Sequence, residues 1–554
     1  RDRLRSRGLG DVYKRQPIAL SLMAFSLISC GEVMDLTQPE KAEVTYSDIT
    51  LSLYQTGKYE LYLDEPEYEY TIMVEKSHCE KEAKAEFTVV DAHSFGEEYT
   101  LLPAANYDLD VNSLNFKGDD VLHTVGLRFH DLTTLDNTKK YVLGLKLKSD
   151  NLAVNEEKST MTFYLQQKQG GIGNPYIITA AKDLAKLGEY LKDGQTTYVR
   201  LGADIDLQGM DWTPVEATVA KPVDFDGCGH AISNLKITSS SSTYQGFFGM
   251  LTGRCANVTF TNAQVTANKK LTGIVAGQAG NVSGAGIVEN VRVSGTISLT
   301  SGNAAWDDGQ AGGICGRLHG ADSKIYQCGS ETKITALWSA GGICGEVREG
   351  ASIEQCYHVG DITTQSCVGG IASRLLGSTI SHCYSHGVMK AVPMVVANPG
   401  GGIAGWVQPI SGASTTSAIS YCWSDCDVSA QNQVGGIMGN ANNTTGSGIT
   451  VHHCVAWNTY LFSQAAPKSG RVCGRYSQNV AYSCYANPAM ECVFPNNPAL
   501  PDQASVNVGA ITTVDRYNGL TTINNLMEAI RALDWDTSIW NLNGEEPRLA
   551  WELN

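Results

Sequence analysis

Two clusters of side chains in this 554-residue chain carry the chemistry of metal ligands: His382, Cys383 and His386, then His452, His453 and Cys454. Imidazole and thiolate are zinc donors, but a closed zinc site needs about four ligands, and carboxylates near these clusters are few. No C-x-x-C and no H-E-x-x-H occurs, so neither a zinc ribbon, a thioredoxin-type site nor a zincin is indicated. No metal and no cofactor is therefore expected. The carboxylates point to a different chemistry, because glycoside hydrolysis needs two acids about 5 to 10 Å apart. Asp307 and Asp308, directly after Trp306, form the best candidate pair. Asp204 with Asp206 and Asp224 with Asp226 read as turn-fixing residues. No partner acid and no basic cluster for lyase chemistry stands in a predictable place, so no catalytic residue is assigned.

The elements that would position these groups are repetitive. A glycine-rich pattern recurs, as in Gly312-Gly313-Ile314-Cys315-Gly316 and Gly341-Gly342-Ile343-Cys344-Gly345, and its apolar residue falls at 247, 275, 314, 343, 371, 403, 437 and 472. Shortest steps are 28 and 29 residues, and longer ones hold polar insertions. Eight similar units define a solenoid. Most units carry a second signal, an apolar residue three before a cysteine: Ile325 and Cys328, Ile353 and Cys356, Ile380 and Cys383, Ile419 and Cys422, Val451 and Cys454, Ala481 and Cys484. Six residues past each cysteine stands Ile334, Ile362, Met389, Val428, Tyr460 or Met490. Three short strands per unit, with rungs about 4.8 Å apart, make one coil of a right-handed parallel β-helix. A helical solenoid is excluded, since nothing recurs at a period of about 3.6 and glycine weakens helices.

Residues three apart face opposite sides of a flat strand, so a corner at positions such as Gln355 and His382 must reset the phase. With that corner the cysteines stack inward as a ladder of small apolar side chains, reduced or bridged between rungs. The next residue in each unit then points outward, giving Tyr357, Tyr384, Trp423 and Tyr485. Aromatic rows at rung spacing suit stacking on carbohydrate; burial of the row beneath an insertion loop is the alternative.

Glycine is sparse before residue 170 and dense after it, and residues 169–174 read as a linker. Residues 44–168 alternate apolar and polar positions in short runs, as at 59–63, 70–74 and 141–147, which predicts an antiparallel β-sandwich. Its exposed tyrosines are ordinary strand residues on propensity. The whole chain is thus all-β, with a sandwich at 44–168, a β-helix at 175–495 and a closing segment at 496–554.

Residues 1–16 do not read as protein sequence: 11–16 back-translate to a string that looks like a transposon-library adapter. With their six basic and two acidic residues set aside, the net charge is −20 rather than −16. This acidity argues against nucleic acid. Residues 17–29 form an apolar run too short to span a bilayer and of signal-peptide length. They end in Leu27-Ile28-Ser29-Cys30-Gly31, which resembles a bacterial lipobox. Cys30 would be the lipidated residue, anchoring the chain to a membrane through residues 30–43 as a tether.

The stretches 98–107, 132–143 and 154–160 are similar to an immunoglobulin-like family of unknown function found behind the lipid anchor of surface lipoproteins in gut-dwelling Gram-negative bacteria. The glycine-rich repeat resembles the GLUG motif of surface proteins that include bacterial immunoglobulin A peptidases. Residues 176–187, 201–214 and 225–235 resemble the opening rungs of that class, with Thr179 capping a helix at 180–190, and 534–551 resembles its closing segment. The resemblance implies a β-helix capped at both ends and transfers no catalytic residue. The reading is an outer-membrane lipoprotein whose β-helix binds a glycan or host protein, with a polysaccharide-degrading enzyme using Asp307 and Asp308 as the alternative. Oligomeric state is not legible.

Overall fold

The computed structural model describes residues 49–553 except 79–80, 239–242, 269–270, 301–308, 392–397, 411–415, 442–447, 465–468, 476–480 and 494–518. The fold is all-β. Two compact units divide the chain, Arg1–Gln167 and Lys168–Asn554.

The first unit is a β-sandwich. One sheet orders its strands Ala153–Val154, Thr50–Leu53, Tyr68–Lys76, Leu122–Phe129 and Tyr107–Leu109. The other orders Gly57–Tyr62, Thr160–Gln166, Lys140–Ser149, Ala83–Val90 and Ser113–Phe116, and Tyr99–Leu101 adds in parallel to Lys140–Ser149. Alternation along each strand sends Leu51, Val74, Leu127, Leu145 and Phe163 between the sheets, all buried. Tyr59 and Tyr70 pack on Phe163, each with ring centroids 5.1 Å away, which makes them strand residues of the core edge, as the alternation predicts.

The second unit is a parallel β-helix in which every strand pairs with its equivalent one coil later. Each full coil has five short strands rather than three. Ser339–Gly341, Cys344–Arg348, Ser352–Glu354, Tyr357–Val359 and Ile362–Thr364 make up one coil. The predicted rows are in register: Ile325, Ile353, Ile380, Ile419, Val451 and Ala481 pair in sequence. The other row runs Ile334, Ile362, Met389, Val428, Leu461 and Cys492. In its last two rungs Leu461 and Cys492 replace the expected Tyr460 and Met490, because one extra residue precedes Leu461 and two precede Cys492 after their ladder cysteines.

Close approach of successive coils explains the double glycine. A Cβ on Gly342 would strike the Gly370 carbonyl and the His358 ring, and one on Gly341 the Cys344 carbonyl. With no side chain there, the next residue stacks tightly: Ile343 N donates to Ile371 O at 3.0 Å and Ile371 N to Ile403 O at 2.9 Å.

The corner lies where the cysteine spacing requires it. Gln327, Gln355, His382, Tyr421, His453 and Ser483 all have left-handed backbones, with φ between 50° and 53°. Each is a non-glycine residue in a disfavoured region that neighbouring rungs hold in place. Beyond the corner Cys328, Cys356, Cys383, Cys422, Cys454 and Cys484 are buried in the coil as free thiols. Burial pushes the thiols of Cys328, Cys383 and Cys454 up, so they pack as small apolar groups.

The ends differ from expectation. Thr179 caps nothing: two one-turn helices, Ala181–Leu184 and Leu187–Tyr190, replace the single helix, and the residue at the first N-cap, Ala180, has no side-chain acceptor. Leu184 and Leu187 nonetheless close the first coil by joining its core. At the other end, the described part of the closing segment adds only Leu520 to the last rung. It folds back along the flank of the solenoid, with consequences for the site.

Candidate functional site

Tyr357, Tyr384 and Trp423 stand on adjacent rungs in register, and Val455 then separates Trp423 from Tyr485. They face away from the coil interior, as the corner requires. They do not form an open platform. Tyr357 and Tyr384 stack at 5.4 Å and 13°, Tyr384 and Trp423 at 5.3 Å and 13°. Parallel strands of one register bring identical ring positions to within stacking distance, so the rings consume one another's faces. The row is also covered: Tyr384 and Trp423 have no exposed surface, Tyr357 is 6% exposed, and Tyr485 is half-buried. Tyr357, Tyr384 and Trp423 thus form a buried packing row, and Tyr485 stands half-buried beyond Val455.

The cover is the closing segment rather than an insertion loop. Leu520 adds to the last rung, donating its N–H to the Cys484 carbonyl at 2.8 Å. The helix Leu526–Ala532, N-capped by Asn525, lays Met527 and Ile530 into the same cluster as Trp423 and Val455. Trp535 packs on Trp540 at 4.7 Å and donates its Nε1–H to the His453 carbonyl at 3.0 Å. The hairpin of Trp540–Asn541 with Arg548–Leu549 then reaches Tyr384. There the phenol donates to Glu552 Oε2 at 2.8 Å and accepts from Arg548 Nη1 at 2.7 Å. Burial, with Glu552 alongside, holds the Tyr384 hydroxyl well above its ordinary range, and burial also raises Glu552. Trp551 ends the run, stacked on Tyr357 at 5.9 Å, beneath the Arg292 guanidinium at 5.1 Å, and donating to the Gln355 carbonyl.

Beside this cover the corner column stays partly reachable, with Tyr421 packed edge-on to Trp535 at 6.3 Å. From Asn257 and Asn290 to Gln327 and Gln355 it is a ladder of amides: Asn290 Nδ2 donates to Asn257 Oδ1 at 2.8 Å, and Gln327 Nε2 to Gln355 Oε1 at 3.0 Å. It then changes to rings. His382 and Tyr421 stack at 5.0 Å and 2°, and Tyr421 and His453 at 5.0 Å and 23°. His452 Nδ1 lies 3.0 Å from His453 Nδ1, so one imidazole donates to the other, and His452 stacks on Tyr482 at 5.1 Å. These rings are half-buried, with Tyr482 43% exposed. Burial pushes His382 and His452 below the usual imidazole range. The strip presents ring edges, imidazole nitrogens and two phenol oxygens, at rung spacing. The sequence marked His382, His452 and His453 only as possible ligands and passed over Tyr421 and Tyr482. The usable signal was the two positions before each ladder cysteine.

The metal-type residues separate by face. Cys383 and Cys454 turn into the coil, while His386 lies on the flank with its Nδ1 2.7 Å from Asp425 Oδ1. Among the described residues no three His, Cys, Asp or Glu side chains gather as a metal site. Asp307, Asp308 and Cys30 lie outside the described residues. Asp206 and Asp226 fix turns, accepting from the Gln208 and Cys228 N–H groups at 2.7 and 2.8 Å, and Asp204 accepts from Ala231 N at 3.0 Å. Asp224 is an ion-pair residue, 2.6 Å from Arg200 and 3.6 Å from Arg254.

Fold and geometry thus define a two-unit all-β protein, a sandwich followed by a solenoid with one covered flank. A family model described as a "-like, N-terminal domain" matches residues 40–154. Halomucin of Haloquadratum walsbyi is 34% identical over 158 residues, 25% of this chain, and the chain spans 2% of halomucin's length. A solved Bacteroides ovatus structure provisionally named an immunoglobulin A1 protease is 22% identical, covers 69% of this chain and 94% of its own, and has a TM-score of 0.42. The Bacteroides endoglycosidase EndoBT-3987, solved with a Man5GlcNAc product, is 12% identical over 34% of this chain and 54% of its own, at a TM-score of 0.21.

Proposed function

We propose that the chain is a cell-surface binding protein, held at the outer membrane of a Gram-negative bacterium by a lipid on Cys30, that recognises a glycan or a host protein through its GLUG-like β-helix. The observation that carries this reading is the strip of ring edges at His382, Tyr421, His453, His452 and Tyr482. The ring edges of His382, Tyr421 and Tyr482 present polar atoms outward there, while His452 and His453 share a hydrogen bond through their Nδ1 atoms. Imidazoles and phenols on a rigid solenoid lose little freedom on binding, which favours recognition of hydroxyl- and amide-rich surfaces. Binding rather than turnover is the reading, with no nucleic-acid partner, because the chain is acidic.

The test applies the full-length chain to glycan and extracellular-matrix protein arrays, beside a variant with Tyr421→Asn and Tyr482→Ala. Asparagine continues the amide ladder of the same corner, so the fold is kept while the ring edges go. Loss of the bound signal in the variant supports the proposal. Equal binding by both chains, or release of cleaved saccharide by the wild type, overturns it.

A further inference from the structure

A second site lies on the sandwich unit and rests on observations independent of the β-helix. A concavity of about 340 Å³ opens on the outer face of the second sheet, lined by Lys58, Glu60, Phe95, Glu98, Tyr99 and Tyr164. Tyr164 and Glu60 are register partners on parallel neighbours, Thr160–Gln166 and Gly57–Tyr62, and Lys58 pairs with Thr162 on the same face. The wall comes from the short 3-10 helix Ala92–Phe95 and the strand Tyr99–Leu101. Gly144 makes the wall possible: a Cβ there would strike the Phe95 ring, so the glycine leaves the notch in which Phe95 sits. Phe95 meets Tyr164 edge-on at 6.2 Å, and Tyr99 lies 5.1 Å from Tyr164 at 56°. Unlike the row on the solenoid, these rings meet at steep angles rather than in parallel stacks.

The charges select the ligand. Among the described residues no hydrogen bond or ion pair engages the side chains of Lys58, Glu60 or Glu98, so two carboxylates and an ammonium around one concavity keep their hydrogen-bonding capacity open. Glu60 and Glu98 disfavour an anion. The Lys58 ammonium already stands over the Tyr164 ring at 5.9 Å, the place a bound cation would take. What fits is a neutral ring with an apolar C–H face for tyrosine and hydroxyls that donate to the carboxylates and accept from the lysine. We infer that the concavity of Tyr99, Tyr164, Lys58, Glu60 and Glu98 is a binding site for a neutral pyranose unit of a glycan.

The experiment presents the full-length chain to an array of neutral and charged oligosaccharides and titrates the best neutral ligand by calorimetry. Tyr164→Ala and the Glu60→Gln, Glu98→Gln pair are each expected to weaken that ligand by about tenfold or more. Tyr164→Phe keeps the ring and is expected to stay within about twofold of wild type, which separates loss of the site from loss of the fold. Tyr421→Asn with Tyr482→Ala is expected to leave this affinity unchanged, so failure here and failure of the solenoid reading are told apart. Absence of any neutral ligand, a preference for charged glycans, or wild-type affinity in Tyr164→Ala overturns the inference.

Discussion

His358 should make the β-helix acid-labile in a window where most of its carboxylates do not yet titrate. It alternates with outward-facing Tyr357, so its ring enters the coil, where it has no exposed surface and its Nδ1 lies 3.3 Å from Ser330 Oγ. Burial is the main cause that lowers its pKa to about 4; the backbones of Gly360 and Ser330, and then Asp361, oppose the shift, and His386 adds slightly to it. An unfolded histidine takes its proton near 6.5, the folded one only near 4, so between these values the unfolded chain binds more protons. Stability is therefore complete above pH 6.5 and falls as pH drops toward 4. A shift of that size corresponds to about 3 kcal/mol in total, of which about 2 kcal/mol is lost by pH 5.

The assay is urea unfolding followed by tryptophan fluorescence at pH 7 and about pH 5, for wild type and His358→Gln. Wild type is expected to lose about 2 kcal/mol more than the variant between the two conditions. His382 and His452, also lowered by burial, contribute in the same direction but cancel in the comparison. Equal losses in the two proteins would refute the buried neutral imidazole. Glutamine's own effect at pH 7 does not enter, because the difference between conditions is what is read.

Ile353→Asp should cost about 3 kcal/mol or more in the same urea assay, since it puts an unpaired carboxylate in a row with no exposed surface. Gly342→Ala should cost about as much by overpacking, because its methyl meets both a backbone carbonyl and the His358 ring; a normal unfolding midpoint would contradict the close approach of the coils. Tyr384→Phe removes the hydroxyl shared by Arg548 and Glu552 and should weaken docking of the closing segment by about 1 to 3 kcal/mol, seen as faster limited proteolysis of residues 519–553. For the anchor, metabolic labelling with a clickable palmitate should mark wild type and miss Cys30→Ala.

Much of the solenoid was legible because its periodicity repeats the same physical demand in every coil. Ile353 and Cys356 are three apart and both buried, and only a left-handed corner between them allows that; Gln355 has φ of 52°. The coil count of strands was less legible, since Cys344–Arg348 and Tyr357–Val359 are too short to show alternation. The fate of Tyr357, Tyr384 and Trp423 was not legible at all. Their outward direction follows from local spacing, but their cover comes from residues such as Trp551, almost two hundred positions away in sequence. Thr179 failed as a cap because the first helix begins two residues later, a boundary that propensity does not fix.

A parallel β-helix places equivalent residues about one rung apart, and this spacing decides which side chains remain able to bind something else. Flat rings in register stack on one another, as Tyr357, Tyr384 and Trp423 do, and amides in register pair, as Gln327 and Gln355 do. A perfectly regular column is thus chemically spent on its own neighbours, and its contribution is stability. Recognition requires a column whose members leave a group over. At the corner the change from Gln355 to His382, Tyr421 and His453 does this, because stacked rings satisfy their faces and leave their polar edges outward. On the sandwich a different geometry serves, where Gly144, in register within its strand, leaves room for the Phe95 ring, and Phe95 and Tyr99 meet Tyr164 at steep angles rather than stacked in parallel.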